Sequence, residues 1–287
     1  MSNYSKGVIL VLISTISFGL MPVFVVFAYE SGIETSTLLL LRFIFSTVFF
    51  FTYVFKKYKI IQIDAKALFS FFILGGICYT MQSRFYFSSL RYISPALATL
   101  FLYTYPAIVS VFSAFIDKER LTGKVILSLL ISLSGILLIV GTSWGNINVI
   151  GILFSSGASL VYSFYIVYSS RVIKKTPAIV ASAYIALFST IGTFVLGTFS
   201  GGFNFSFTAS AWLPIAGLAL VSTVIAISSF LKGMEYLGPT KTSIISLTEA
   251  VFTVLFSVIF LHDFLTPYQI MGGAAVLLGA YIIVRNK

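Results

Sequence analysis

Apolar residues run through this chain in long unbroken blocks, separated by short polar joints. The blocks fall at roughly residues 6–28, 34–55, 66–90, 94–116, 124–142, 148–170, 177–200, 209–232, 240–261 and 267–285. Each is close to the ~20 residues of helix that cross a hydrocarbon core. A lipid-facing barrel strand would alternate apolar and polar positions over about ten residues, and no such alternation is sustained here. In lipid the backbone must satisfy its own hydrogen bonds, so the pattern predicts an all-α integral membrane protein with ten transmembrane helices. The run Gly7–Ala28 exceeds a signal-peptide core of roughly 7–15 residues and has no small-residue cleavage site after it, so a retained helix is expected.

Composition sharpens this picture. Of 287 residues, 59% are hydrophobic and 9% charged, against roughly 25% charged in a soluble domain. The net charge of +10 would suggest nucleic acid in a soluble protein. Here the basic residues sit in the joints, so no nucleic-acid partner is expected and membrane lipid is the surrounding medium. With the N-terminus inside, 15 of the 18 basic residues fall on the inner side, from Lys6, Lys56, Lys57 and Lys59 through Arg171, Lys174 and Lys175 to Arg285 and Lys287. The outer joints hold Arg91 with Glu30, Glu34, His262 and Asp263. This asymmetry predicts a multi-pass protein of the cell membrane with both termini cytoplasmic. The lone Cys78 and lone His262 cannot build a disulfide framework or metal cage, and no cofactor is expected.

The chain also resembles itself. A shift of 144 residues lays Leu90–Thr122 on Met234–Thr266 with seven identities in 33 pairs. Tyr92 meets Tyr236, Pro95 meets Pro239, Thr104 meets Thr248, Phe112 meets Phe256 and Ser113 meets Ser257, while Glu119 meets Asp263. The same register carries Phe18 onto Tyr162 and Gly135 onto Gly279. Two five-helix halves, residues 1–145 and 146–287, are implied. Five is odd, so the second half must enter the membrane the other way up, giving an inverted repeat around a central cavity.

Phe18-Gly19, Leu41-Arg42-Phe43, Tyr105-Pro106, the run Asp117-Lys118-Glu119-Arg120-Leu121-Thr122, Thr248-Glu249-Ala250 and His262-Asp263-Phe264-Leu265-Thr266 together carry a resemblance. On these residues the chain resembles the drug/metabolite transporter superfamily, specifically its ten-helix EamA-type transporters, over essentially its whole length. The resemblance implies transport without naming a substrate. In that family the helix 9 glutamate is commonly followed by proline. Here Ala250 takes that place while Pro106 is kept, which leaves any bend in helix 9 open.

Ionised groups deep in a span cost on the order of 3 kcal/mol, so each one retained is a candidate functional residue. Glu249 lies near the middle of helix 9, and Thr242, Ser246 and Thr253 recur with it at helical spacing as one polar stripe. Such a carboxyl could exchange a proton or bind a cationic part of a solute; the bland reading is a buried tie to a neighbouring helix. Arg42 and Arg84 are expected to snorkel or to pair with Glu30, Glu34 or Glu249. Tyr79, Gln82, Ser83 and Tyr86 share one face of helix 3, and Tyr162 and Tyr165 one face of helix 6. Tyr103 and Tyr105 extend this set toward a cavity wall, since tyrosine offers both an apolar face and a hydroxyl. Pro22 and Pro106 are interior and should bend or break their helices.

The function expected is secondary transport of a small polar or amphipathic metabolite, amino-acid-like or drug-like, by alternating access. Without an ATP-binding segment, the energy must come from a gradient of solute, proton or sodium. Phosphate loops, nucleophile elbows and paired carboxylates are missing, so an intramembrane enzyme has little support. A non-transporting sensor or assembly platform is the alternative reading. A monomer suffices for this architecture.

Overall fold

The computed structural model describes residues 1–58, 63–89, 91–93, 95–141, 148–262 and 264–285. Lys59, Leu90, Asp263, Lys287 and the expected boundary at 145/146 lie outside the described residues. Ten helices are long and apolar enough to cross a membrane: α1 (Asn3–Glu30), α2 (Thr35–Tyr58), α3 (Ala65–Ser89), α4 (Leu97–Ile116), α5 (Gly123–Val140), α6 (Val149–Val172), α7 (Ala178–Phe199), α8 (Ala209–Leu237), α9 (Pro239–Leu261) and α10 (Pro267–Arg285). No strand occurs among the described residues.

The polar joints supply the helix boundaries. Asp64 accepts from the Ala67 amide at 2.7 Å and Asn148 from the Ile150 amide at 2.9 Å, occupying donors left free at a helix start. Gly141 and Gly238 end α5 and α8 at φ +75° and +79°, a region other residues rarely enter. The Tyr4 hydroxyl donates to the Val284 carbonyl at 2.7 Å, so the two chain ends share one face, termed here the terminal face. The opposite face carries the turns at Ser31–Gly32 and Arg91–Ile93.

The outward surface is apolar, with Phe69, Leu153, Phe194 and Met271 all exposed, as lipid requires. Inside, serines in helices return their hydroxyls to the carbonyl a turn back, as Ser46 does to Arg42, Ser110 to Pro106 and Ser182 to Ala178. That hides a polar group without a second helix.

Contacts between the halves come in exchanged pairs. A Cβ placed on Gly7 in α1 would stand 2.8 Å from Tyr236 Cβ in α8, and one on Gly151 in α6 would stand 2.9 Å from Tyr92 Cβ, just beyond α3. Gly135 in α5 approaches the Gly272 carbonyl of α10 at 2.5 Å, and Gly279 of α10 approaches the Ser128 carbonyl of α5 at 2.8 Å, both measured from an added Cβ. In each case the two contacts are related by the same 144-residue shift with the halves exchanged.

Three spans are interrupted. α1 breaks at Leu20, just before Pro22, into Asn3–Gly19 and Met21–Glu30. The α4 segment divides into α4a (Pro95–Leu102) and α4b (Tyr105–Ile116), and α9 into α9a (Pro239–Ser246) and α9b (Glu249–Leu261). The α9 break forms with Ala250 in place of proline, so proline is not its cause. At both breaks a threonine hydroxyl takes the carbonyl three residues back: Thr104 to Phe101 at 2.7 Å and Thr248 to Ile245 at 2.8 Å. The same hydroxyls then reach a neighbouring helix, Thr104 to Ser159 at 3.0 Å and Thr248 to Thr15 at 3.2 Å. α3 and α8 each contain a π-helical stretch, Phe72–Tyr79 and Leu220–Ile225. Thr80 and Thr223 donate to the carbonyls of Gly75 and Leu218, five residues back.

Candidate functional site

The α9 break puts Glu249 on the first turn of α9b, where it borders a chamber of about 230 Å³. α4a contributes Thr99 and Leu102 to this chamber and α9b contributes Glu249 and Thr253, so these two half-helices face one another across it. Tyr79, Gln82, Ser83 and Tyr86 come from α3, Tyr162 from α6, Tyr103 and Tyr105 from the α4 break, and Arg42 from α2. The Tyr103 hydroxyl faces the Glu249 carboxylate. Tyr86 is held by a 2.9 Å hydrogen bond with Thr99.

The aromatic rings form a continuous arc. Phe43 meets Tyr79 at 5.6 Å, Tyr79 meets Tyr165 at 5.6 Å, Tyr165 stacks on Tyr162 at 5.9 Å, and Tyr162 meets Tyr105 edge-on at 4.9 Å. Edge-to-face and offset contacts of this kind are favourable and lock each ring. The result is a wall in which Tyr79, Tyr162 and Tyr105 face the chamber with apolar rings and hydroxyl edges, backed by Phe43 and Tyr165.

Two expected wall residues lie behind it. Tyr165 is 2% exposed and packs between Tyr79 and Tyr162. Ser246 is buried, donates to the Thr242 carbonyl at 2.8 Å and sits beside the Tyr105 hydroxyl. Thr242 is fully buried, and its hydroxyl has no hydrogen-bond partner among the described residues. The polar stripe expected along helix 9 therefore does not continue: the break between Ser246 and Glu249 resets the helical register, and only Glu249 and Thr253 reach the chamber.

Neither candidate arginine makes the expected ion pair. Arg42 Nε donates to Thr223 Oγ1 at 2.7 Å and its Nη2 to the Ser222 carbonyl at 3.2 Å, both within the π-helical stretch of α8. Arg84 lies outside the chamber and donates to Ser200 Oγ at 2.6 Å. Phe18, Met21, Pro22, Leu39 and Phe87 complete the wall without having been expected there; the match of Phe18 to Tyr162 under the 144-residue shift and the interior Pro22 were the available signals.

The chamber communicates with a vestibule of about 500 Å³ through shared walls at Met21, Pro22, Leu39, Arg42, Tyr86 and Phe87. The vestibule is further lined by Tyr29, Thr35, Ser88 and Arg91, at the face opposite the chain ends. On the terminal side α9a packs against α4b. There the Thr240 hydroxyl donates to the Glu119 carboxylate, which also lies against Gly238 at the start of α9a, where an anion is favoured by the helix dipole. Among the described residues no group of three His, Cys, Asp or Glu side chains gathers as a metal site.

The sequence profile of the EamA-like transporter family matches residues 5–141 and, again, residues 149–285. The chain belongs to this family. Its two matches begin at residues 5 and 149, the same 144-residue offset that relates the repeated anchors and the paired glycine contacts. Among curated relatives, an uncharacterized transporter YcbK of Bacillus subtilis is 26% identical over 285 residues, 95% of this chain and 90% of its own. An uncharacterized inner membrane transporter YicL of Salmonella typhimurium is 25% identical, covering 99% and 96%. The aromatic amino acid exporter YddG of Ancylobacter novellus is 27% identical over 205 residues, 67% of this chain and 70% of its own. A solved crystal structure at 20% identity shares the fold with a TM-score of 0.83, covering 96% of each chain. This EamA-like chain is therefore a multi-pass membrane protein of a transporter family.

Proposed function

We propose that this protein is a secondary transporter of the cell membrane, moving a small polar or amphipathic metabolite through the Glu249 chamber by alternating access. The carrying observation is one-sided access: the chamber, bordered by α4a and α9b, continues past α1, α2 and α3 into the vestibule, while α4b and α9a are packed together on the terminal side. Residues 1–145 and 146–287 act as two oppositely inserted halves about an axis in the membrane plane. The contact of Gly7 with Tyr236 recurs as Gly151 with Tyr92, and that of Gly135 with Gly272 as Gly279 with Ser128, which supports this, since a two-fold relation makes each contact recur with its partners exchanged. Such symmetry makes the opposite state available, with α4b and α9a parting as α4a and α9b close.

The basic joints make the terminal face cytoplasmic, so the described state is open to the outside. Glu249 is the group that couples solute to gradient, by carrying a proton or by holding a cationic part of the solute. The aromatic arc suits an amino-acid-like body, and the name of the Ancylobacter relative favours that class. No cofactor takes part, and a monomer suffices.

The test is exchange of labelled amino acids and aromatic metabolites across liposomes containing the purified protein. Accumulation of unaltered solute is expected; a chemically altered product would indicate an enzyme, and neither outcome a platform. Glu249→Gln keeps size and hydrogen bonding but removes the charge and the titratable site, and should abolish or uncouple transport without loss of expression. Unchanged flux with unchanged gradient dependence in this variant would remove Glu249 from the mechanism.

A further inference from the structure

Among the described residues Arg42 is the one charged residue in the set of buried polar and charged side chains, 6% exposed, and it borders both the chamber and the vestibule. An arginine guanidinium carries five N–H donors and stays ionised. Its Nε and Nη2 edge is engaged by the neutral oxygens of Thr223 and Ser222, which hold the group in a fixed plane. That leaves the Nη1 amino group and the second Nη2 hydrogen, the end-on pair, without a partner among the described residues. No ion pair reaches it there either: those present join Arg171 to Asp117 and Lys232 to Glu235.

The Arg42 guanidinium also lies 5.2 Å from the centroid of the Phe43 ring, a cation–π contact that leaves its net charge in place. A buried charge with no anion beside it is costly, and one retained in a span marks a functional contact. The vestibule in front of it has no acidic lining residue but contains Arg84 and Arg91. A cleft lined by one sign of charge concentrates the opposite sign in its mouth. We infer that Arg42 is the anion receptor of the pathway, and that the solutes carried are carboxylate-bearing amphipathic metabolites rather than cationic drugs. The end-on guanidinium pair matches the two oxygens of a carboxylate, a geometry that a point charge such as lysine does not reproduce. The apolar body of the solute then lies along the aromatic arc. Glu249, across the same chamber, accepts an amine only on a solute already anchored by its carboxylate, since the arginine-lined vestibule repels a lone cation, and it disfavours a second anionic group.

This inference rests on the transport reading, and the experiment separates them. Purified protein is titrated, by thermal stabilisation, with matched triples in which one body carries a carboxylate, a neutral amide or an amine, such as 3-phenylpropionate, 3-phenylpropionamide and 3-phenylpropylamine. Aliphatic and heterocyclic bodies are included as well. Within triples the acid should bind on the order of tenfold more tightly than the amide, the amine most weakly, as for a charge-assisted pair. Arg42→Gln should collapse the acid-to-amide ratio to about one, and Arg42→Lys should keep a reduced preference. The triples on the unmodified protein decide the matter even if a variant does not fold. No acid binding in any triple, or amides and amines binding as well as acids, overturns the inference. Acid-selective binding without flux in liposomes would keep Arg42 as receptor and sink the transport reading. Flux of solutes lacking an anionic group would do the reverse.

Discussion

Adding a single methyl group at Gly135 tests the packing on which the whole helix arrangement depends. The new Cβ would sit 2.5 Å from the Gly272 carbonyl oxygen and 2.8 Å from the Val276 amide nitrogen, whereas ordinary contact begins near 3.4 Å. Both obstacles are backbone, so no rotamer change relieves them, and α5 must move away from α10 by most of an ångström. A gap of 0.5–1 Å forfeits roughly a quarter to a half of each dispersion contact, and overpacking of this kind costs about 1–3 kcal/mol. The upper end applies, because two backbone atoms of α10 are struck at once. With roughly 2–4 °C of melting temperature per kcal/mol in a chain of this size, Gly135→Ala should lower the Tm in detergent by about 6–12 °C. Gly123→Ala, at the first residue of the same helix with nothing within 4 Å of its Cβ, is the control and should leave Tm unchanged or slightly raised. Gly279→Ala, which meets Ser132 Oγ and the Ser128 carbonyl, should behave like Gly135→Ala. Equal melting temperatures for Gly135→Ala and Gly123→Ala would refute the close approach of α5 and α10.

Two further expectations concern access and orientation, both in a Cys78→Ser background. Thr240→Val removes the hydroxyl that ties the start of α9a to Glu119, and should raise labelling of a cysteine placed at Ser246 from the terminal side; unchanged labelling would deny the tie any part in closing that side. Single cysteines at Ser2 and at Ser206 should react with an impermeant reagent only from the inside and only from the outside of cells, respectively. Reaction of both from one side would contradict the assigned orientation.

Ten spans were legible because a bilayer demands runs of a fixed length, and the joints between them carry little else. Glu249, Tyr103, Tyr105 and the α3 tyrosines were legible for a related reason, since a polar group inside an apolar block has few structural excuses. Tyr165 and Ser246 were read as wall residues from helical spacing alone. Tyr165 shares a face with Tyr162, but ring packing places it one layer back. Ser246 precedes a break that no proline announces, made by Thr248 bonding to its own helix and to Thr15 in another. The partners of Arg42 had no sequence signal either. They lie in the π-helical stretch of α8, about 180 residues further along the chain, and meet Arg42 only through a tertiary contact.

The unequal sizes of the two connected spaces carry a further meaning. At about 230 Å³ the chamber falls below the roughly 300–1,000 Å³ of pockets that enclose drug-sized molecules, while the vestibule at about 500 Å³ falls within it. A bulky molecule can therefore lodge in the mouth without ever being swallowed. Such a compound would plug the route and rank among the tightest binders while never being carried, so affinity alone is a misleading guide to what this protein moves.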